Sequence, residues 1–343
     1  MKTSFWLLLP LIALTSCLQE IDVNLESDQP TLVVEGYIND QVETYTVKLS
    51  TLSDLRGAGS NTLGQNAAVE VEDPDGARWQ FAEVSPGIYE LAPGSLQGEI
   101  GKSYQLFITL ENGEEYQSSV ERIPPKVNTV GGEAVFIEEF IEQQNGTTAR
   151  NIRHDIIITI ENQPEQQFYI VENQAWAEVE IGYGDCFFGS PAGPSICWSF
   201  RESISDNAAI IGTNVNLGSD TYKTQAISVP FDSKLQYIAI IKVNSMSPTS
   251  YSFWQSVNDQ LQRDGGIFDR PLAPIVGNIV NTTNNTLALG YFHAYSSSEE
   301  IICFDRSEVQ GTVNIVGPIP CPVLCTSVWA PATFNNVAEL LCQ

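Results

Sequence analysis

Apolar residues along most of this chain alternate with polar ones at a period of two, the spacing that puts them on one face of a β-strand. "TLVVEGYI" and "TYTVKLSTL", within residues 31–52, are rich in β-branched side chains and are separated by the polar "NDQVE". "AAVEVEDPDG" alternates Val69 and Val71 with Glu70 and Glu72 before a Pro/Asp/Gly turn. "RWQFAEV" and "GIYELAP" are joined through Ser85-Pro86-Gly87, and Asn112-Gly113 bends the run from Tyr104 to Val120 into a hairpin. Short strands with turn punctuation and no helical period predict an immunoglobulin-like or transthyretin-like β-sandwich over residues 31–123.

"PPKVNTVGGEA" then reads as a linker or long crossover, placed at 124–134. Residues 135–343 predict a larger, mostly-β domain, with strands in "DIIITIEN", "QFYIVENQAWAEVEIGY", "TQAISVPF", "LQYIAIIKVNSM" and "NNTLALGYFHAYSSSEEIICF". One amphipathic helix is expected near 248–263. Ser247-Pro248 supplies a cap and a first-turn proline, Tyr251, Trp254, Val257 and Leu261 recur at helical spacing, and Asp264-Gly265-Gly266 stops it. The stripe reads as packing against a sheet.

The first 16 residues, "MKTSFWLLLPLIALTS", combine Lys2 with an apolar run from Phe5 to Leu14. That run is too short for a bilayer helix of about 20 residues and suits a secretory leader. Leu14-Thr15-Ser16-Cys17 resembles a bacterial lipobox. The expectation is cleavage before Cys17, a diacylglycerol on its thiol and a further acyl chain such as palmitate on its amine, which together make a stable anchor. Residues 17–30 form an acid-rich tether of the kind seen on surface-displayed outer-membrane lipoproteins. No later segment is apolar enough to span, so the body is expected to be soluble and tethered. The resemblance of the acidic tether to a surface-export signal implies the outer membrane, facing the cell surface, with the periplasmic face as the alternative.

The formal charge of −26, from 42 Asp and Glu against 16 Lys and Arg, argues against a nucleic-acid partner. The acids are scattered, as on a solvated exterior. Behind Cys17 come Cys186, Cys197, Cys303, Cys321, Cys325 and Cys342, an even number that suggests disulfides in an exported chain. Cys186 and Cys197 bracket the loop "FFGSPAGPSI" and are the expected local pair; the other four staple the C-terminal end. A zinc site at "CPVLC" is disfavoured by spacing, by two histidines in all and by an oxidising compartment, so no metal or cofactor is expected.

Signals for catalysis are weak. His154 and His293 lie in or beside strands and read as packed or surface residues. No Gly-x-Ser-x-Gly elbow or phosphate loop is present. The doublets Glu114-Glu115, Glu138-Glu139 and Glu299-Glu300 would point to opposite faces of a strand. Asp73-Pro74-Asp75-Gly76 reads as a turn before a calcium loop. Binding is the better class: Tyr183, Phe187, Phe188, Trp198 and Phe200 flank the expected Cys186–Cys197 bridge and form either a pre-organised partner surface or a loop core.

Three stretches in order behind the lipobox carry a family resemblance. They are "PTLVVEGYINDQVETYTVKLS", "GIYELAP" with "GKSYQLFITLENGEEYQS", and "YSFWQSVNDQLQRDGGIFDRPLAPIVGNI" leading to "LALGYFHAYS". The chain resembles the Bacteroidota outer-membrane lipoproteins grouped as domain of unknown function 4249. That resemblance implies a non-enzymatic accessory to a TonB-dependent outer-membrane receptor, in substrate capture or docking, with no catalytic residues to carry over. A cell-envelope adhesin or scaffold is the alternative.

Overall fold

The computed structural model describes residues 31–52, 62–63, 66–142, 146–165, 167–181, 195–202, 210–213, 219–261, 275–310, 313, 324–325 and 342. Among them the early strands are β1 (Thr31–Asn39), β2 (Tyr45–Leu52), β3 (Thr62–Leu63), β4 (Ala68–Glu72), β5 (Arg78–Ser85), β6 (Ile88–Leu91), β7 (Ser103–Thr109), β8 (Glu115–Ser118) and β9 (Glu121–Arg122). Then follow β10 (Thr129–Glu142), β11 (Thr148–Glu161), β12 (Phe168–Ile181), β13 (Ser195–Glu202), β14 (Ile210–Thr213), β15 (Thr221–Pro230) and β16 (Tyr237–Met246). Helix α1 (Pro248–Leu261) precedes β17 (Ile279–Asn281), β18 (Leu289–Phe304) and β19 (Leu324–Cys325). The protein is mainly β, with one helix among the described residues.

A 16-stranded sheet runs in the order β17-β8-β7-β4-β5-β6-β2-β1-β18-β16-β12-β13-β19, with β14 against β12, β3 against β2 and β9 against β7. Strands β10, β11 and β15 form a second, antiparallel sheet. Two cores result. In the first, the alternating Val34, Ile38, Val47, Leu49, Val69, Val71, Leu106 and Ile108 pack together. Ile279, Ala288, Phe292 and Ala294 join them from much later in the chain. In the second, Ile156, Ile158 and Ile160 of β11 lie against Val171 of β12, Ile241 and Val243 of β16 and Ile302 of β18.

The turns follow the expected chemistry. Gly113 takes a left-handed φ of 84° at the β7–β8 bend, where its N–H donates to Leu110 O at 2.9 Å. In the Asp73 turn, the carboxylate accepts from the N–H groups of Asp75 and Ala77, and Lys102 Nζ approaches it at 2.6 Å. Gly131 and Gly132, expected in a linker, lie inside β10 instead. A Cβ at Gly132 would come within 2.3 Å of Ile302 Cδ1, so the glycine answers to sheet packing there. Only residues 123–128 remain non-strand between β9 and β10.

Strand β18 links the two cores. Leu289 to Tyr295 pair with β1 in parallel, and Ser296 to Phe304 pair with β16 antiparallel. Where it changes partner, its side chains become serines. Ser296 Oγ donates to Pro124 O at 2.9 Å, Ser298 Oγ donates to Val127 O, and Ser297 N–H donates to Asp40 at 2.9 Å. The coil between β9 and β10 has carbonyls to satisfy, and apolar residues there would leave them unpaired. Farther along, Cys303 is bridged to Cys342 with Cα atoms 5.7 Å apart. The β13–β19 register sets Cys197 opposite Cys325. Cys17, Cys186 and Cys321 lie outside the described residues, as do the leader and tether.

Gly290 has a φ of +87°, and a Cβ there would fall 2.0 Å from Val34 O. Gly290→Ala should therefore cost more than about 2 kcal/mol, through backbone strain and loss of the β1 contact. Urea unfolding measures it; a change inside about 0.5 kcal/mol would show that β18 does not need this approach.

His154, 4% exposed, sits among Phe136, Phe231 and Phe304 with ring centroids 5.0–5.9 Å away, and its Nδ1 has no partner among the described residues. Burial lowers its pKa from 6.5 to about 4, with Arg306 adding to the shift and Asp155 opposing it. The unfolded chain therefore binds the extra proton first. The stability from a neutral His154 is complete above about pH 6.5 and lost as pH falls toward 4, at about 1.4 kcal/mol per unit. His154→Phe should keep or raise stability at pH 7 and flatten the stability curve between pH 6.5 and 4.5; parallel curves would remove His154 from this role.

Candidate functional site

The site is assembled at the start of α1. Ser247 caps the helix by accepting from Ser250 N–H at 3.2 Å. Its own hydroxyl donates to Glu121 Oε2 at 3.0 Å. Glu121, 3% exposed, also accepts from Tyr291 OH at 3.0 Å, Ser119 Oγ at 2.8 Å and Asn278 Nδ2 at 3.1 Å. Four neutral donors thus surround one buried carboxylate, and no cation lies within salt-bridge distance among the described residues. Asn278 does a second job: its side chain both donates to Phe292 O and accepts from Phe292 N–H, each at 2.9 Å. It pairs with the edge of β18 as another strand would.

Held this way, α1 roofs a cavity of about 470 Å³, within the usual range for small-molecule sites. Its floor comes from β1, β2, β12, β16 and β18. The helical stripe lies on the sheet as expected, with Tyr251 against Phe168 of β12 at 4.8 Å and Trp254 against His293 of β18, but it is not fully covered. Ser250 is the buried residue of α1, Phe253, Trp254 and Val257 are half-buried, and Leu261 is 64% exposed. The cause lies beneath the helix, where Gly36, Gly290 and Thr46 are too small to fill the space under the aromatic rings.

One end of the cavity is a stack. His293 lies between Trp254, with centroids 5.6 Å apart and planes at 20°, and Tyr291, at 4.5 Å and 25°. Ser250 Oγ is 2.7 Å from His293 Nδ1. Burial lowers the His293 pKa from 6.5 to about 3, so the ring is neutral at physiological pH. A base that weak has little drive to take a serine proton, and no carboxylate bonds the imidazole among the described residues. The bond fixes the ring plane.

The other end is phenolic and acidic. Tyr37 and Tyr295 are 5.4 Å apart. Burial pushes Tyr37 up to about 12, helped by Glu43 and Glu172, and holds Tyr295 well above its ordinary value, with Glu172 and Tyr37 adding. Glu172 is open to the cavity, yet the protein around it desolvates its carboxyl and raises its pKa.

Sequence patterning singled out other residues. Trp198 is buried, 4% exposed, in β13 opposite Glu178, and Phe200 packs on Trp176 at 4.9 Å. Tyr183, Phe187 and Phe188 lie outside the described residues. Of the residues weighed for chemistry, His293 reaches the cavity and His154 does not. Tyr37, Glu172 and Tyr295 were not singled out. A usable signal was the alternation of Tyr291, His293 and Tyr295, which sets three rings on one face of β18. Among the described residues, no group of three or more His, Cys, Asp or Glu could hold a metal ion, and no helix is long and apolar enough to cross a membrane.

The family model described as domain of unknown function (DUF4249) matches residues 19–301, and the chain belongs to that family. No curated protein matches it.

Glu121→Leu removes the acceptor from four donors at once. It should cost about 3 kcal/mol or more and speed amide exchange in the first turn of α1 beyond that in β16. Denaturant unfolding with site-resolved exchange tests this; a uniform change across both elements would mean that the carboxylate does not hold the helix.

Proposed function

We propose that this protein is a non-enzymatic capture protein, lipid-anchored through Cys17 at the outer membrane and facing the cell surface, that binds a small molecule beneath α1 and delivers it to a TonB-dependent receptor. The observation that carries the reading is the cavity: a preformed, largely apolar space lined by six aromatic rings with a few polar groups at its ends. Its shape is set by strands, so little ordering is needed when a ligand enters. The serine and histidine within it are bonded to each other and poorly suited to proton transfer. The lipobox and the acid-rich tether support the anchor, and the family resemblance supports the receptor.

The test uses material purified from the native envelope, with small molecules extracted and compared by mass spectrometry. Val257→Trp, on the half-buried face of α1, should fill the cavity and abolish a compound that the unaltered protein carries. A strain with this variant should share the single-nutrient growth defect of a deletion strain. Identical extracts and identical growth for variant and unaltered protein would overturn the reading.

A further inference from the structure

The two ends of the cavity differ in charge. At the mouth, Glu35 and Lys48 face each other across β1 and β2, so their opposite charges offset. Glu172 is different. Its register partner on β16 is Lys242, but Lys242 also stands opposite Glu299 of β18, and no ion pair within 4 Å joins Lys242 to Glu172 among the described residues. One lysine is shared between two carboxylates, and Lys242 does not itself line the cavity. Glu43 adds negative potential beside Tyr37. The Glu172 carboxylate therefore faces an aromatic-lined space with one amide donor, Asn244, and a shared lysine to balance it.

Aromatic faces are themselves electronegative, and rings within about 6 Å of a cation attract it, most strongly where water is excluded. The Tyr37–Tyr295 pair sets its rings beside Glu172, while Trp254, the terminal ring of the stack on His293, lines the same cavity and suits a flat apolar body. We infer that the ligand held beneath α1 is an organic ammonium compound with a planar apolar body, its cation beside Glu172 and the Tyr37–Tyr295 pair and its plane along Trp254. The inference rests on the capture reading and names the chemistry of that site. An anion would meet the Glu172 carboxylate, whose neighbouring cation, Lys242, is shared with Glu299. A neutral ligand would leave the desolvated carboxylate with one amide partner, Asn244, and the shared charge of Lys242.

Three probes of one shape separate the possibilities: tryptamine, its uncharged analogue carrying methyl in place of the ammonium, and indolepropionate. Calorimetric titration of the full mature protein at pH 7.5 should show tryptamine binding at least about tenfold tighter than the uncharged analogue, with indolepropionate weakest. E172Q keeps the side-chain shape and removes the charge. It should retain the thermal midpoint and reduce the preference for tryptamine to about threefold or less. Tryptamine binding should also weaken as pH falls into the range where Glu172 takes up a proton. Val257→Trp should abolish binding of all three.

If the uncharged or anionic probe binds as well as tryptamine, and Val257→Trp still blocks it, the cationic assignment is overturned while the capture reading stands. If none of the three binds the unaltered protein, the ligand class is overturned, and the extraction experiment decides the capture reading separately. A preference for tryptamine that survives in E172Q also overturns the role given to that carboxylate.

Discussion

The parallel pairing of β1 with the first half of β18 is the contact on which the rest of the structure depends. It joins residues about 250 positions apart in sequence, and loop-closure entropy makes such a pairing costly unless much is gained at once. The gain is twofold. Phe292 and Ala294 enter the first core, and the same strand continues into the second to pair with β16. The approach is close enough that Gly290 can carry no side chain. Because β18 pairs with β1 over its first half and with β16 over its second, residues of both neighbours line the one cavity beneath α1.

Local polar chemistry then decides what hangs over the gap. The capping serine of α1 is itself bonded to a buried carboxylate, so the helix is placed by its N-terminus more than by an apolar face. This is unusual for an amphipathic helix, most of whose stability ordinarily comes from burying a stripe. Here the stripe stays half-buried, and hydrogen bonds from Tyr291, Ser119 and Asn278 to Glu121 tie the helix to β18 and to the end of β8. The same carboxylate that orders the roof also orients Tyr291, one wall of the room below it.

Much of the fold was legible in the pattern of residues, and most of the site was not. Period-two alternation located β1, β2, β4 to β8, β11, β12, β15, β16 and β18, and Ser247-Pro248 marked the start of α1. These signals are local: a strand buries every second residue wherever it docks, and a cap is satisfied within one turn. Pairing partners carry no comparable signal, so nothing in "LALGYFHAYS" says that it lies parallel to "VVEGYIN". The cavity inherits that opacity, since its lining comes from five separate stretches of chain. Its helix was visible as a stripe, but whether a stripe fills a core or roofs a space depends on the residues opposite, here glycines and a threonine. Glu121 and Glu172 looked like two more acids in a very acidic chain, and only their surroundings distinguish them.

The Cys303–Cys342 bridge has a mechanical meaning. It welds residue 342 to the end of β18, the strand that both cores share. Tension applied near that residue would pass covalently into the middle of the wide sheet instead of peeling an outer strand away. Drawn along its own axis, β18 would have to shear the ladders with β1 and β16 together, which resists force far better than unzipping one pair at a time.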